Sequence, residues 1–162
     1  MYKNYKIILV GDTNRGKTTF VCNNIDKEYK RTIGVDVSNI EFKINDLNIL
    51  FNVWDTSGDE KNKGLDDAYY INASGAILFY STENEKNKYI KKIKRINPEM
   101  NIILVYSHIN NNKKPPKEKL YPSCELNMME KKNMILPYML MCYKLLPQHQ
   151  DEIVKQLHNY VN

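Results

Sequence analysis

Cysteine is scarce and scattered. Cys22, Cys124 and Cys142 show no Cys-x-x-Cys spacing, which argues against a disulfide scaffold or a zinc site and for a reducing compartment. No apolar stretch is long enough to span a bilayer. The opening Met1-Tyr2-Lys3-Asn4 runs straight into a strand-like stretch, so no signal peptide is visible. The closing His158-Asn159-Tyr160-Val161-Asn162 contains no cysteine, so no prenyl anchor is expected. Repeats, low-complexity tracts and linkers are absent. Arginine is rare (Arg15, Arg31, Arg95), while Lys, Asn, Ile and Tyr are abundant, a bias of the kind an AT-rich genome produces.

What remains is the composition of an ordinary globular chain. With 162 residues, 42% hydrophobic and 27% charged, one domain over residues 1–162 can bury a core without staples. The net charge of +5 helps to attract an anionic ligand. The lysines are spread out, so no clear nucleic-acid binding is expected. The expected location is intracellular, in cytoplasm or nucleus, without a membrane anchor.

Tyr5 to Val10 is a short apolar run ending at Gly11, which reads as a buried strand. Gly16 to about Asn23 reads as a helix and Asp26 to Arg31 as a loop. Val35 to Ile44 and Leu47 to Trp54 alternate around the turn Asn45-Asp46, the pattern of a β-hairpin. Ala76 to Tyr80 and Ile102 to Tyr106 are further buried-strand runs. Between them Tyr89, Ile90, Ile93 and Ile96 recur at helical spacing within Lys86 to Ile96, and Asn97-Pro98 ends that helix. Asn110 to Pro116 reads as a polar loop. Leu126 to Leu146 and Asp151 to Val161 read as helix broken near Pro147, with Pro137 beginning or kinking a helix. Strands alternating with helices imply an α/β fold: a mostly parallel sheet of five to six strands, one antiparallel edge strand, and helices on both faces.

The strongest motif is Gly11-Asp12-Thr13-Asn14-Arg15-Gly16-Lys17-Thr18, which fits G-x-x-x-x-G-K-[ST] without a mismatch. A polyphosphate needs many N–H donors converging on one point, and a loop between a strand and a helix N-terminus supplies them. Gly16 lets the backbone approach, Lys17 adds a charge over the β- and γ-phosphates, and Thr18 offers a hydroxyl to Mg²⁺. Thr13, Asn14, Arg15 and Thr19 complete the expected phosphate-binding stretch. Downstream, Asp55-Thr56-Ser57-Gly58 ends an apolar strand. Asp55 can hold the metal shell, and the Gly58 N–H can sense a γ-phosphate. Thr32 lies in the loop between these motifs, placed to close on Mg²⁺ when the γ-phosphate is bound.

At these residues the chain resembles the Ran family of Ras-like small GTPases. The likeness lies in Thr32-Ile33-Gly34-Val35-Asp36-Val37, Phe51-Asn52-Val53-Trp54-Asp55-Thr56, Gly64-Leu65, Tyr69-Tyr70-Ile71, and the phosphate loop continuing through Thr18-Thr19-Phe20-Val21. It is continuous from about residue 5 to 80 and thin beyond. The resemblance implies GTP or GDP with Mg²⁺ as ligands, Thr18, Thr32 and Asp55 around the metal, nuclear transport receptors or Ran regulators as partners, and a monomer. An acidic C-terminal tail of the kind found in that family is not expected.

The departures are specific. Asp59 stands where the family has the Gln that orients the attacking water. An ionised Asp only accepts hydrogen bonds and is shorter, so slow hydrolysis is expected, with Asp59 as the candidate catalytic residue. Thr13 and Asn14 replace two glycines. Asn tolerates left-handed backbone angles, and the Thr13 side chain is expected to crowd the γ-phosphate region. The base-reading Asn-Lys-x-Asp aligns with Ser107-His108-Ile109-Asn110. Asn110 offers one acceptor and one donor to guanine in place of two acceptors, which suits xanthine better; His108 either stacks on the base or is a surface residue. The Ser-Ala-Lys motif aligns with Ser123-Cys124-Glu125. The segments from Lys17 to Thr32 and from Asn110 to Ser123 are both short for the family.

Other residues have plainer readings. Trp54 suits a core or switch contact. Met128, Met129, Met134, Met139 and Met141 read as helix core. His149 and His158 read as surface, and Lys113-Lys114-Pro115-Pro116-Lys117 as a solvated loop. The sequence thus points to a small GTP-binding switch with slow turnover. Its rivals are a hydrolysis-deficient Ran mimic acting as an interaction module and a P-loop kinase or ATPase.

Overall fold

The computed structural model describes residues 2–25, 28–58, 66–108, 120–127 and 134–161. Six strands form one sheet: β1 (Tyr2–Val10), β2 (Val35–Ile44), β3 (Leu47–Thr56), β4 (Gly75–Tyr80), β5 (Asn101–His108) and β6 (Ser123–Asn127). Their order is β2-β3-β1-β4-β5-β6. Among the described residues only the β2–β3 hairpin pair is antiparallel; β1 lies parallel between β3 and β4, and β4, β5 and β6 continue in parallel. The helices are α1 (Lys17–Ile25), α2 (Glu83–Ile96), α3 (Leu136–Leu145) and α4 (Gln150–Val161), with 3₁₀ turns at Asp66–Tyr70 and Pro147–His149.

The period-two alternation of the strands divides the core. Ile7 and Leu9, Phe51 and Val53, Ile77 and Phe79, and Ile103 and Val105 belong to the cluster that contains Phe20 of α1, Tyr138, Met139 and Cys142 of α3, and Ile153 of α4. Ile8 and Val10, Leu78 and Tyr80, and Leu104 and Tyr106 belong to the opposite cluster with Tyr89 and Ile93 of α2. Strands buried on both sides explain why their sequences read as unbroken apolar runs.

α2 has the clearest local cause. Thr82 is its N-cap and accepts from the Glu85 amide at 3.3 Å, with Glu83 and Glu85 in the first turn and Lys94 and Arg95 in the last. Pro137 lies in the first turn of α3, where its missing N–H costs nothing. One boundary corrects the sequence reading: Leu126 is in β6, not a helix, and α3 begins at Leu136. Residues 123–127 pair with β5 as the last strand in the sheet order and turn Leu126 into the core, with Ser123 and Glu125 exposed; the pairing is long-range, so it weighs little in a local reading. The expected loop over Asn110 to Pro116, and Met128 and Met129, lie outside the described residues. Met134, Met139 and Met141 are buried as core residues. Among the described residues, no helix is long and apolar enough to cross a membrane.

Candidate functional site

The site lies at the C-terminal ends of β1 and β3, where connections leave in opposite directions along the sheet, the position where open α/β sheets bind ligands. β1 ends at Val10, and residues 11–16 wrap into α1 at Lys17. Gly11 has φ +142, and a Cβ there would run into the Phe79 carbonyl oxygen, so the turn requires glycine. Asn14 sits at φ +61, the left-handed angle anticipated for it. Thr13 and Asn14 are exposed, and Arg15, Gly16, Thr18 and Thr19 are partly buried.

Lys17 is buried, 4% exposed. Its Nζ donates to the carbonyl oxygens of Gly11 at 2.8 Å and Asp12 at 2.9 Å, folding the ammonium back across the loop. Desolvation pulls its pKa down to about 8, against the opposing pull of Asp55 and Asp12. An anionic ligand beside this cation would restore the charge that burial disfavours.

Three oxygens converge next to it. The hydroxyls of Thr18 and Thr32 each donate to Asp55 Oδ2 at 2.6 Å, and the two hydroxyls lie 2.9 Å apart. Asp55 is 3% exposed. Burial raises its pKa, partly offset by the bonds from Thr18 and Thr32 and by Lys17. Its Oδ1 is buried with no hydrogen-bond partner among the described residues. This donor set fits Mg²⁺. Octahedral ligands at about 2.0–2.1 Å from the metal stand roughly 2.9 Å apart, and Mg²⁺ takes few protein oxygens, leaving the rest to phosphate and water. Thr18, Thr32 and Asp55 would hold it there, and the ion would neutralise phosphate charge. No cluster of three or more His, Cys, Asp or Glu with metal-binding geometry occurs among the described residues.

Gly58 has φ +68, and a Cβ on it would stand 2.5 Å from the Gly11 carbonyl oxygen and 2.7 Å from Lys17 Nζ. It therefore touches the phosphate loop directly. The two segments expected to sense the γ-phosphate also meet, since the Ser57 amide donates to the Gly34 carbonyl oxygen at 2.9 Å. Thr56 Oγ1 donates to the Leu9 carbonyl oxygen at 2.9 Å, fixing the end of β3 to β1.

The base-reading side is partly outside the description. Ser107 is buried at the end of β5 with its Oγ unpartnered among the described residues. His108 follows and pairs in register with Asn127. Asn110 and the candidate catalytic Asp59 lie outside the described residues, as do Gly64 and Leu65. Ser123 and Cys124 need correcting. They open β6, in register with Leu104 and Val105, four and three residues before Asn127. At about 3.3 Å per residue, Ser123 is some 13 Å from the strand end that adjoins the site. The alignment to Ser-Ala-Lys therefore fails, because the chain at 123–127 is strand rather than the loop following it.

Motif reading missed the contacts that two residues of α2, Glu85 and Tyr89, make with the phosphate loop. Asp12 and Arg15, at variable positions of the phosphate loop, are bound by Tyr89 and Glu85 of α2. The available signal was a pair of charged residues in a loop that packs closely, together with Glu85 and Tyr89 one helical turn apart.

A phosphate loop, a buried lysine closing it, two threonines and an aspartate at a metal-sized triangle, and a glycine against the loop define a Ras-like P-loop GTP-binding domain. Residues 6–110 match the family described as "Ras of Complex, Roc, domain of DAPkinase". The chain belongs to this Roc family of Ras-like GTPases and is a GTP-binding switch protein. Ras-like GTPases generally bind GTP or GDP with Mg²⁺.

Proposed function

We propose that residues 1–162 form one Ras-like domain acting as a Ran-type switch, which binds GTP or GDP with Mg²⁺ and hydrolyses GTP slowly. The observation carrying this reading is the convergence of Thr18, Thr32 and Asp55 on one point. It joins the phosphate loop, the first switch segment and the end of β3, so a γ-phosphate and its metal bias the conformation of both switches. Nuclear transport receptors or Ran regulators are the proposed partners of a monomer working in cytoplasm or nucleus. The switch segment supports protein docking, since Ile33 beside Thr32 is 90% exposed, and Tyr29 and Val37 are also exposed.

A second reading is a hydrolysis-deficient mimic that occupies such partners without turnover. It is favoured by Asp59 in place of Gln, by Thr13 in place of Gly and by Asn110 in place of Asp. Single-turnover hydrolysis of bound GTP separates the two. The switch reading expects slow but measurable phosphate release that rises in Asp59→Gln. Release indistinguishable from that of free GTP, in both proteins, would establish the mimic.

A further inference from the structure

The phosphate loop is bound to α2 by two independent polar contacts, and both come from the same face of that helix. Glu85 and Tyr89 are four residues apart, one turn, with Lys88 beside them. The Tyr89 hydroxyl donates to Asp12 Oδ1 at 2.7 Å, and Lys88 Nζ lies 3.3 Å from the same oxygen. Arg15 pairs with Glu85 in a two-pronged contact, Nη2 to Oε1 at 2.5 Å and Nε to Oε2 at 3.1 Å. The side chains of Arg15 and Glu85 are 27% and 15% exposed, so the pair is partly shielded from water.

Glu85 occupies the third position after the N-cap Thr82, where a glutamate ordinarily reaches back to the N-cap amide. Here its Oε2 accepts instead from the amide of Ser81 at 2.9 Å and the hydroxyl of Ser81 at 3.3 Å. The carboxylate thus ties the end of β4, the start of α2 and the phosphate loop into one unit. Asp12 is held at two places, its carboxylate by Tyr89 and its carbonyl oxygen by Lys17. Between the fixed residues 12 and 15 stand the exposed Thr13 and Asn14, the latter at a left-handed angle that costs energy in a free chain.

We infer that Glu85 and Tyr89 are positioning residues, whose contacts to Arg15 and Asp12 hold the phosphate loop in its phosphate-accepting shape before nucleotide arrives. Binding is tighter when the loop's ordering entropy is already lost in the free protein. Two consequences follow. The Arg15 guanidinium is committed to Glu85, so Arg15 serves the nucleotide through its backbone and not as a phosphate-binding side chain. The outer surface of α2 also gains a mechanical route to the nucleotide, because any ligand that shifts α2 pulls on residues 12 and 15.

The inference rests on the nucleotide-binding reading, and its test separates the two. Amide hydrogen exchange is measured on nucleotide-free protein for wild type, Glu85→Gln and Tyr89→Phe, followed by release of fluorescent GDP with Mg²⁺. Loss of one charge-assisted hydrogen bond predicts exchange at residues 12–17 and GDP release each about tenfold faster, with protection at residues 90–95 unchanged. A cycle with Arg15→Gln predicts that the double variant with Glu85→Gln releases GDP no faster than the single variants. Tyr89→Phe keeps the buried ring, so it remains informative if Glu85→Gln folds poorly. Unchanged exchange at residues 12–17, or equal loosening of α2 and the loop, would overturn the inference. A loosened loop in a protein whose wild type binds no GDP would overturn the nucleotide role instead.

Discussion

Thr32 Oγ1 lies 2.6 Å from Asp55 Oδ2, a contact between the loop before β2 and the buried end of β3. It brings the first switch segment onto the oxygen shared with Thr18. Replacing Thr32 by Ala removes a hydroxyl bond to a carboxylate and one proposed metal ligand. We expect about tenfold weaker GTP binding with Mg²⁺, an energy of roughly 1.4 kcal/mol, and a smaller effect on GDP. Titration of both nucleotides checks it. Equal losses for GTP and GDP would mean that Thr32 does not report the γ-phosphate.

Gly11 and Gly58 should differ in what they protect. A methyl group at Gly11 runs into the Phe79 backbone, whereas one at Gly58 meets the Gly11 carbonyl oxygen and the end of the Lys17 side chain. Gly58→Ala is expected to cost about 1–3 kcal/mol of stability and to lose the GTP-over-GDP preference. Gly11→Ala, whose Cβ would press still closer on a backbone oxygen and at a φ of +142, is expected to cost more. Denaturant unfolding and nucleotide titration of both variants would show the order.

Tyr138 carries a polar group the core does not use. Its ring stacks on Phe20 at 4.9 Å and Phe51 at 5.6 Å between centroids, while its hydroxyl is buried without a partner among the described residues. Tyr138→Phe keeps the stacking and removes the desolvated hydroxyl. A gain of about 1 kcal/mol, or roughly 2–4 °C in thermal midpoint, is expected. A lowered midpoint would reveal a hydrogen bond made through water.

Glu85 provides the pH dependence. Burial pushes its carboxyl up, but the bonds from Arg15 and Ser81 outweigh burial and bring it below the ordinary 4.5. The native state therefore binds the proton less readily than the unfolded chain. The stability contributed is fully present above pH 4.5 and is lost as pH falls through the lowered native value. Urea unfolding of wild type and Glu85→Gln should differ most near neutrality and converge below pH 4.5. A difference that persists undiminished at pH 3 would contradict the assignment.

The legible and illegible parts of the sequence have distinct physical causes. The phosphate loop could be read because it demands glycine, lysine and threonine at fixed spacing, and Thr32 and Asp55, singled out with it, are side chains that meet Thr18. Ile7 to Val10 and Ala76 to Tyr80 could be read as strands because burial on both faces leaves an apolar run. β6 was missed although Cys124 and Leu126 alternate with polar neighbours, because an alternation of five residues is a weak local signal and the pairing with β5 decides it. That same miss displaced Ser123 and Cys124 from the site. The contacts of Asp12 and Arg15 with α2 were hidden because their partners lie 77 and 70 positions away in sequence, respectively.

The central claim is guanine nucleotide binding through the phosphate loop and the Thr18, Thr32 and Asp55 oxygens. It is tested most directly by titrating fluorescent GTP into the purified protein with Mg²⁺, with GDP, XTP and ATP as competitors. The account predicts saturable binding that GDP displaces and ATP does not, lost on chelation of Mg²⁺ and in Lys17→Ala. Stronger displacement by XTP would place Asn110 at the base. Absence of binding, or displacement by ATP as effective as by GDP, would contradict the account.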